Sequence, residues 1–178
     1  MGRLTENSVV VTKNKSFSIT AEVEVPDGGA EGVIIAQGGA FGGWSLYTMG
    51  GKAKFAYNCF GLDTYLTGAG QTIPAGTHQI RMEFAYDGGG LAKGGSVMLY
   101  YDGQQVGEGR VDRTEPMMFS GDETTDVGRD TSTPVSAEYR GRSVFSGKVN
   151  WVQIDIGKDD HDHFISPAER LHLAMARQ

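Results

Sequence analysis

The placement of glycine limits the fold of this chain more than any other feature. There are 27 glycines in 178 residues, many in runs at 28–29, 38–39, 42–43, 50–51, 88–90 and 94–95, about twice the ~7% of an ordinary protein. Glycine inside a helix costs roughly 0.5–1 kcal/mol relative to alanine. It serves well, however, in tight turns between short strands that need positive φ. Long helices are therefore disfavoured and a turn-punctuated β-structure is favoured.

The stretches between the glycines have the matching period. Over 17–25, Phe17, Ile19, Ala21, Val23 and Val25 alternate with Ser18, Thr20, Glu22 and Glu24, which predicts a strand with one buried and one wet face. Over 78–86, Ile80, Met82, Phe84 and Tyr86 alternate with Gln79, Arg81 and Glu83. Residues 32–37 form an apolar run suited to a central strand. Gly50-Gly51 joins 44–49 to 52–58, and Asp102-Gly103 joins 96–101 to 104–111; both predict type I′ hairpins. A last strand, 148–156, is apolar on both sides (Val152, Ile154 and Ile156 against Val149 and Trp151), so the pattern does not fix its inward face. Eight to ten strands with no helix before residue 157 predict an all-β antiparallel sandwich or barrel over 1–157.

Residues 158–178 read as a polar linker and a C-terminal helix. Ser166 caps, Pro167 suits the first turn and Glu169 completes a capping box. Ala168, Leu171, Ala174 and Met175 make an apolar stripe, and Arg177 favours the C-terminal end of the helix dipole. So short a helix needs a surface to dock on.

Composition removes several functions. Lys and Arg number 16 against 22 Asp and Glu, a net charge of −6 with no cationic cluster, which argues against nucleic acid as a partner. The single cysteine, Cys59, can form neither an internal disulfide nor a cysteine metal pair. The longest aliphatic run, 33–36, is far below the ~20 residues of a membrane span, and the N-terminus has no apolar signal core. No membrane partner and a cytoplasmic location are expected.

Chemical motifs are sparse. Residues 89–96 lack the Lys of a phosphate loop, and no serine stands in a nucleophile elbow. Cys59 has no local base and reads as a small buried hydrophobe. Asp122, Glu123, Asp126 and Asp130 crowd an irregular stretch. They suit either a calcium cage or the capping of loop amides and pairing with Arg113, Arg129 or Arg140. Residues 159–163 carry carboxylates and imidazoles that suit zinc or nickel, although neighbours in extended chain point apart and a solvated linker is the simpler reading. Trp44, Tyr47, Tyr57 and Tyr65 would stack on sugar rings if exposed, with Gln37, Asn58 and Asp63 bonding hydroxyls, and would be core if buried. A glycoside hydrolase would need two carboxylates about 5–10 Å apart; Glu22 with Glu24, and Arg81 with Glu83, share strand faces, but no cross-strand pair is readable.

Three long blocks, 30–47, 84–95 and 122–135, resemble the C-terminal region of large bacterial arylsulfatases of the alkaline-phosphatase-like sulfatase family. The likeness extends over roughly residues 4–156. It implies a concanavalin-like, laminin-G-like jelly-roll sandwich appended to a catalytic domain. The family's nucleophile lies in a Cys/Ser-x-Pro-x-Arg motif; here Cys59 is followed by Phe60, Gly61, Leu62 and Asp63, so neither Pro nor Arg is in place. Catalysis by this chain is not implied. The expectation is a non-catalytic module that packs on a sulfatase domain, in cis or in trans, with the C-terminal helix as clasp. The alternative is a lectin-like carbohydrate-binding module using Trp44, Tyr47, Tyr57 and Tyr65, assisted by calcium at Asp122, Asp126 and Asp130.

Overall fold

A computed structural model describes residues 4–5, 9–119, 124–131, 133–141, 143–157 and 163–176. Among these, eleven strands form two antiparallel sheets. They are β1 Leu4–Thr5, β2 Phe17–Val25, β3 Gly32–Gly39, β4 Gly42–Met49, β5 Lys52–Cys59, β6 Asp63–Gly68, β7 Gly76–Tyr86, β8 Gly95–Tyr101, β9 Gln104–Val111, β10 Thr124–Val127 and β11 Lys148–Ile156. A six-stranded sheet runs β1-β10-β3-β4-β5-β6 and a five-stranded sheet runs β11-β2-β7-β8-β9. Their inner faces enclose one core, with Trp44, Leu46 and Phe55 on one side and Ile19, Met82 and Leu99 on the other. The all-β sandwich with a short C-terminal helix, α1 Pro167–Ala176, is thus the observed architecture.

Both expected hairpins form with positive φ at their central residues: 60° and 70° at Gly50 and Gly51, 48° and 85° at Asp102 and Gly103. Three strands have no counterpart in the sequence pattern, β1, β6 and β10. A 3₁₀ turn, Ala137–Tyr139, also precedes residue 157, where no helix was expected.

The two sheets treat their outer faces differently. Segment 128–146 lies over the six-stranded sheet, where Val135 and Tyr139 pack on Val33, Ala36, Tyr47 and Ala56, and Val33 N donates to Ser143 O at 3.1 Å. Both faces of β3 are therefore buried, which is why its sequence is continuously apolar. The five-stranded sheet keeps a polar outer face. Its edge strand β11 carries a bulge between Val149 and Trp151, which spends one residue out of register. Val149, Val152 and Ile154 consequently all reach the core, although the first two are an odd three positions apart.

The C-terminal segment docks on that polar face. The capping box forms, Ser166 N donating to Glu169 Oε2 at 2.7 Å and Glu169 N to Ser166 Oγ at 3.2 Å. The anchor is not the expected stripe: Ala168, Leu171 and Met175 are exposed. It is Ile165, fully buried ahead of the helix, together with Arg170, whose guanidinium sits 4.3 Å from the Trp151 ring centroid. The expected role of Arg177 lies outside the described residues.

Candidate functional site

The aromatic platform expected from sequence does not form. Trp44, Tyr47 and Tyr57 are at most 2% exposed, and Tyr65 is half-buried against the core. The polar tips of the three buried rings are satisfied internally: Trp44 Nε1 donates to Thr12 Oγ1 at 3.1 Å, Tyr57 OH accepts from Glu115 N at 3.0 Å, and Tyr47 OH donates to Glu138. Burial pushes the Tyr47 and Tyr57 phenols far up. These rings are core because strand alternation turns them inward at β4 and β5, or under segment 128–146 in the case of Tyr47. Gln37 and Asn58 are likewise buried; Asn58 Nδ2 is spent on the carbonyls of Gly39, Ala40 and Val135, and Asp63 pairs with Arg113. Cys59 is buried, which raises its thiol above the ordinary value.

The acidic stretch also turns inward. Asp122 lies outside the described residues. Asp126 Oδ2 accepts from Thr131 N at 3.1 Å and from the Thr131 hydroxyl. Asp130 Oδ2 accepts from Val135 N at 3.2 Å and Tyr139 OH at 2.7 Å. Both carboxylates are buried and hold segment 128–146 in shape, the loop-capping role. Among the described residues no group of three His, Cys, Asp or Glu could hold a metal ion, and residues 159–162 of the polar run lie outside them.

Polar groups converge instead on the outer face of the five-stranded sheet. Register aligns Gln153, Thr20, Arg81 and Tyr100 in one row across β11, β2, β7 and β8, and Asp155, Ser18, Glu83 and Met98 in the next. Arg81 is 1% exposed; its Nη1 donates to Thr20 Oγ1 and its Nε to Glu83 Oε1, both at 2.7 Å. Burial, then the neighbouring Glu83 carboxylate, raises the Tyr100 phenol. The segment ahead of α1 is sewn across this face. His163 stacks on Tyr100, ring centroids 4.4 Å apart and planes 4° from parallel, and its Nδ1 lies 2.6 Å from Glu83 Oε1. The Gln79 amide pairs with the Ile165 backbone in both directions, at 2.7 and 2.9 Å.

Between this strap and the sheet is a hollow of about 240 Å³ lined by Ser16, Ser18, Arg81, Glu83, Met98 and His163 among others. Drug-sized ligands occupy roughly 300–1,000 Å³, so this hollow suits one small polar unit. Arg81 and Glu83 share a face in the sequence pattern and His163 stands out there only in a metal-type run, while Thr20 and Tyr100 carry no signal of a site. The outward series Ser18, Thr20 and Glu22 was legible, but not the register that sets it beside β7.

No family model matches the chain and no curated relative matches it. Solved structures do match, all at low identity. The carbohydrate-binding module CBM40 of the Ruminococcus gnavus IT-sialidase, bound to α2,3 sialyllactose, is 14% identical, covers 86% of this chain and 83% of that one, and superposes with a TM-score of 0.58. Domains LG4-5 of the mouse laminin α1 chain are 16% identical with a TM-score of 0.57, covering 86% of this chain and 40% of that one. The heptameric SAP-like pentraxin of Limulus polyphemus is 12% identical with a TM-score of 0.53, covering 87% and 72%. These likenesses establish the fold, the jelly-roll sandwich of lectin-like, carbohydrate-binding-module and laminin G domains.

Proposed function

We propose that this chain is a non-catalytic glycan-binding module that takes a single hydroxyl-rich sugar unit on the outer face of the five-stranded sheet. The observation that carries the reading is Glu83: a carboxylate whose side chain is 21% exposed, fixed by the buried Arg81 and by His163 beside an open hollow. A fixed carboxylate accepts from two neighbouring hydroxyls, and Met98 supplies apolar surface for a ring face. The binding of sialyllactose by a module of the same fold is in keeping with this. A neutral sugar fits, because Arg81 and Glu83 line the hollow together and offset each other's charge. Glu83 is the only carboxylate among the described lining residues, whereas glycoside hydrolysis requires a pair. A glycan array with the wild type and Glu83→Gln tests the proposal. Binding of neutral glycans weakened by the substitution supports it, and blank arrays at high protein concentration refute it.

A second reading, assistance to a sulfatase catalytic domain, draws on the outward Leu171 and Met175 of α1, which are 61% and 56% exposed and lie one helical turn apart. Calorimetry with a separately supplied sulfatase domain tests it. Heat of binding abolished by Leu171→Ser is the expected result, and an unassociated monomer counts against it.

A further inference from the structure

Among the described residues fourteen large apolar side chains are exposed, and six of them stand on the loops at one end of the sandwich. They are Phe41 on the β3–β4 turn, Phe60 and Leu62 on the β5–β6 turn, Leu91 between β7 and β8, and Met117 and Met118 after β9. The turns of the opposite end, at 26–31, 50–51, 69–75 and 102–103, carry none of them, and only Val144, packed beside Gly32 and Val33, is exposed there among the described loop residues. Phe60 is the most telling. It has φ 58° with Gly61 at 68°, and Leu62 N donates to Cys59 O at 3.1 Å to close the turn. The first central position of such a turn favours Asn, Asp or Gly, and a bulky side chain at positive φ is a genuine outlier. Phe60 accepts that strain while half exposed, so no burial within the chain offsets it. Local conflicts of this kind collect at functional surfaces.

The tips form one surface. A Cβ at Gly61 would stand 2.7 Å from Ala40 O, and one at Gly42 would overlap the Glu115 side chain, so three loops are in contact. The Thr114 hydroxyl donates to Lys93 O at 2.7 Å and joins the fourth. Among the described residues at this end Arg110 faces both Asp87 and Asp112, and Arg113 faces Asp63, while Lys15 and Lys93 make no ion pair. We propose that this end is a membrane-contacting crown, seating its Phe, Leu and Met tips at a lipid interface with the two lysines toward anionic headgroups. Apolar tips on four separate loops sink between headgroups more readily than they mate with a flat protein face, and apolar contact plus charge attraction is the physics of peripheral binding. No described helix is long and apolar enough to cross a membrane, so the contact is interfacial. It is independent of the glycan hollow.

The test is co-sedimentation of the full chain with phosphatidylcholine/phosphatidylserine vesicles. Phe60→Asn restores the favoured turn residue, so it should raise the unfolding temperature while weakening vesicle binding about ten-fold or more. Leu62→Ser should weaken binding without changing stability. Wild-type protein left in the supernatant overturns the proposal, as does Phe60→Asn sedimenting like wild type. A gel-filtration dimer that Phe60→Asn abolishes, without vesicle binding, assigns the crown to a second copy of the chain and also overturns it.

Discussion

Arg81→Met probes the polar face most directly. The substitution keeps the length of the side-chain stem but removes the cation that bonds Thr20 and Glu83 at 2.7 Å. Removing one member of a buried ion pair costs roughly 3–5 kcal/mol, because the other charge is left behind. Glu83 retains His163 at 2.6 Å and is 21% exposed, which puts the loss at the lower end, about 3 kcal/mol. At about 2–4 °C per kcal/mol for a domain of this size, the unfolding temperature should fall by about 6–12 °C. Scanning calorimetry at neutral pH reads this directly. The double variant Arg81→Met/Glu83→Met replaces both charges with apolar groups, which is often neutral or better, so it should recover about 2 kcal/mol of the loss while glycan binding stays abolished. A single variant within about 1 kcal/mol of wild type refutes the argument. So does a double variant as unstable as the sum of the singles, since the pair would then serve the fold and not a ligand.

Trp44→Ala should act on stability and not directly on a ligand: the ring is fully buried, so a loss of roughly 3–5 kcal/mol is expected in urea unfolding, and a stable variant that lost only glycan affinity would contradict its core position. Glu138→Gln should show a pH-dependent defect. Burial alone would raise the Glu138 carboxyl, but bonds from Lys54 and Tyr47 outweigh it and hold the group below its usual 4.5. The stabilisation is therefore present above the unfolded-state value and lost as pH falls through the lowered folded one, so the gap to wild type should close on acidification; a gap constant across the acid range refutes it. Gly50→Asn should stabilise by roughly 0.4–1 kcal/mol, because φ is 60° with open space around the Cβ position and Asp102 already occupies the equivalent place at 48°; a lowered urea midpoint would show the turn is not of the assumed type.

Alternation and turn chemistry are local, and local features were legible. Residues 17–25 and 78–86 needed only period two, and Gly50-Gly51 and Asp102-Gly103 needed only their φ preference. What failed was long-range. β6 was hidden because Phe60, not Asn or Gly, opens its turn, and because Leu66 on it faces solvent. β10 was read as part of an acidic loop because Asp126 is a carboxylate, although its backbone pairs with Ala36 and its side chain is buried. The inward face of β11 was unreadable because a bulge breaks the period. The aromatic platform failed for a related reason: sequence shows which residues share a face, but not which face another segment will cover.

The outward positions of β2 show how that covering makes a site. Ser18 and Thr20 are buried, Glu22 is half-buried and Glu24 is exposed, although all four lie on one face of one strand. Alternation alone predicts four equally wet side chains. The gradient follows the strap: Ser18 and Thr20 lie in the rows beside Glu83 and Arg81 beneath His163, Glu22 lies beside Gln79 at Ile165, and Glu24 lies beyond it, paired with Lys148 at 2.8 Å. An exposed pair such as Glu24–Lys148 contributes little to stability. The Arg81–Glu83 pair carries desolvation penalties that a packed apolar pair would avoid. A chain that covers the outer face of one sheet with Val135 and Tyr139 has the means to do the same on the other. That it sets a guanidinium, a carboxylate and a hydroxyl there, next to a hollow, is a stability cost that the proposed glycan site would account for.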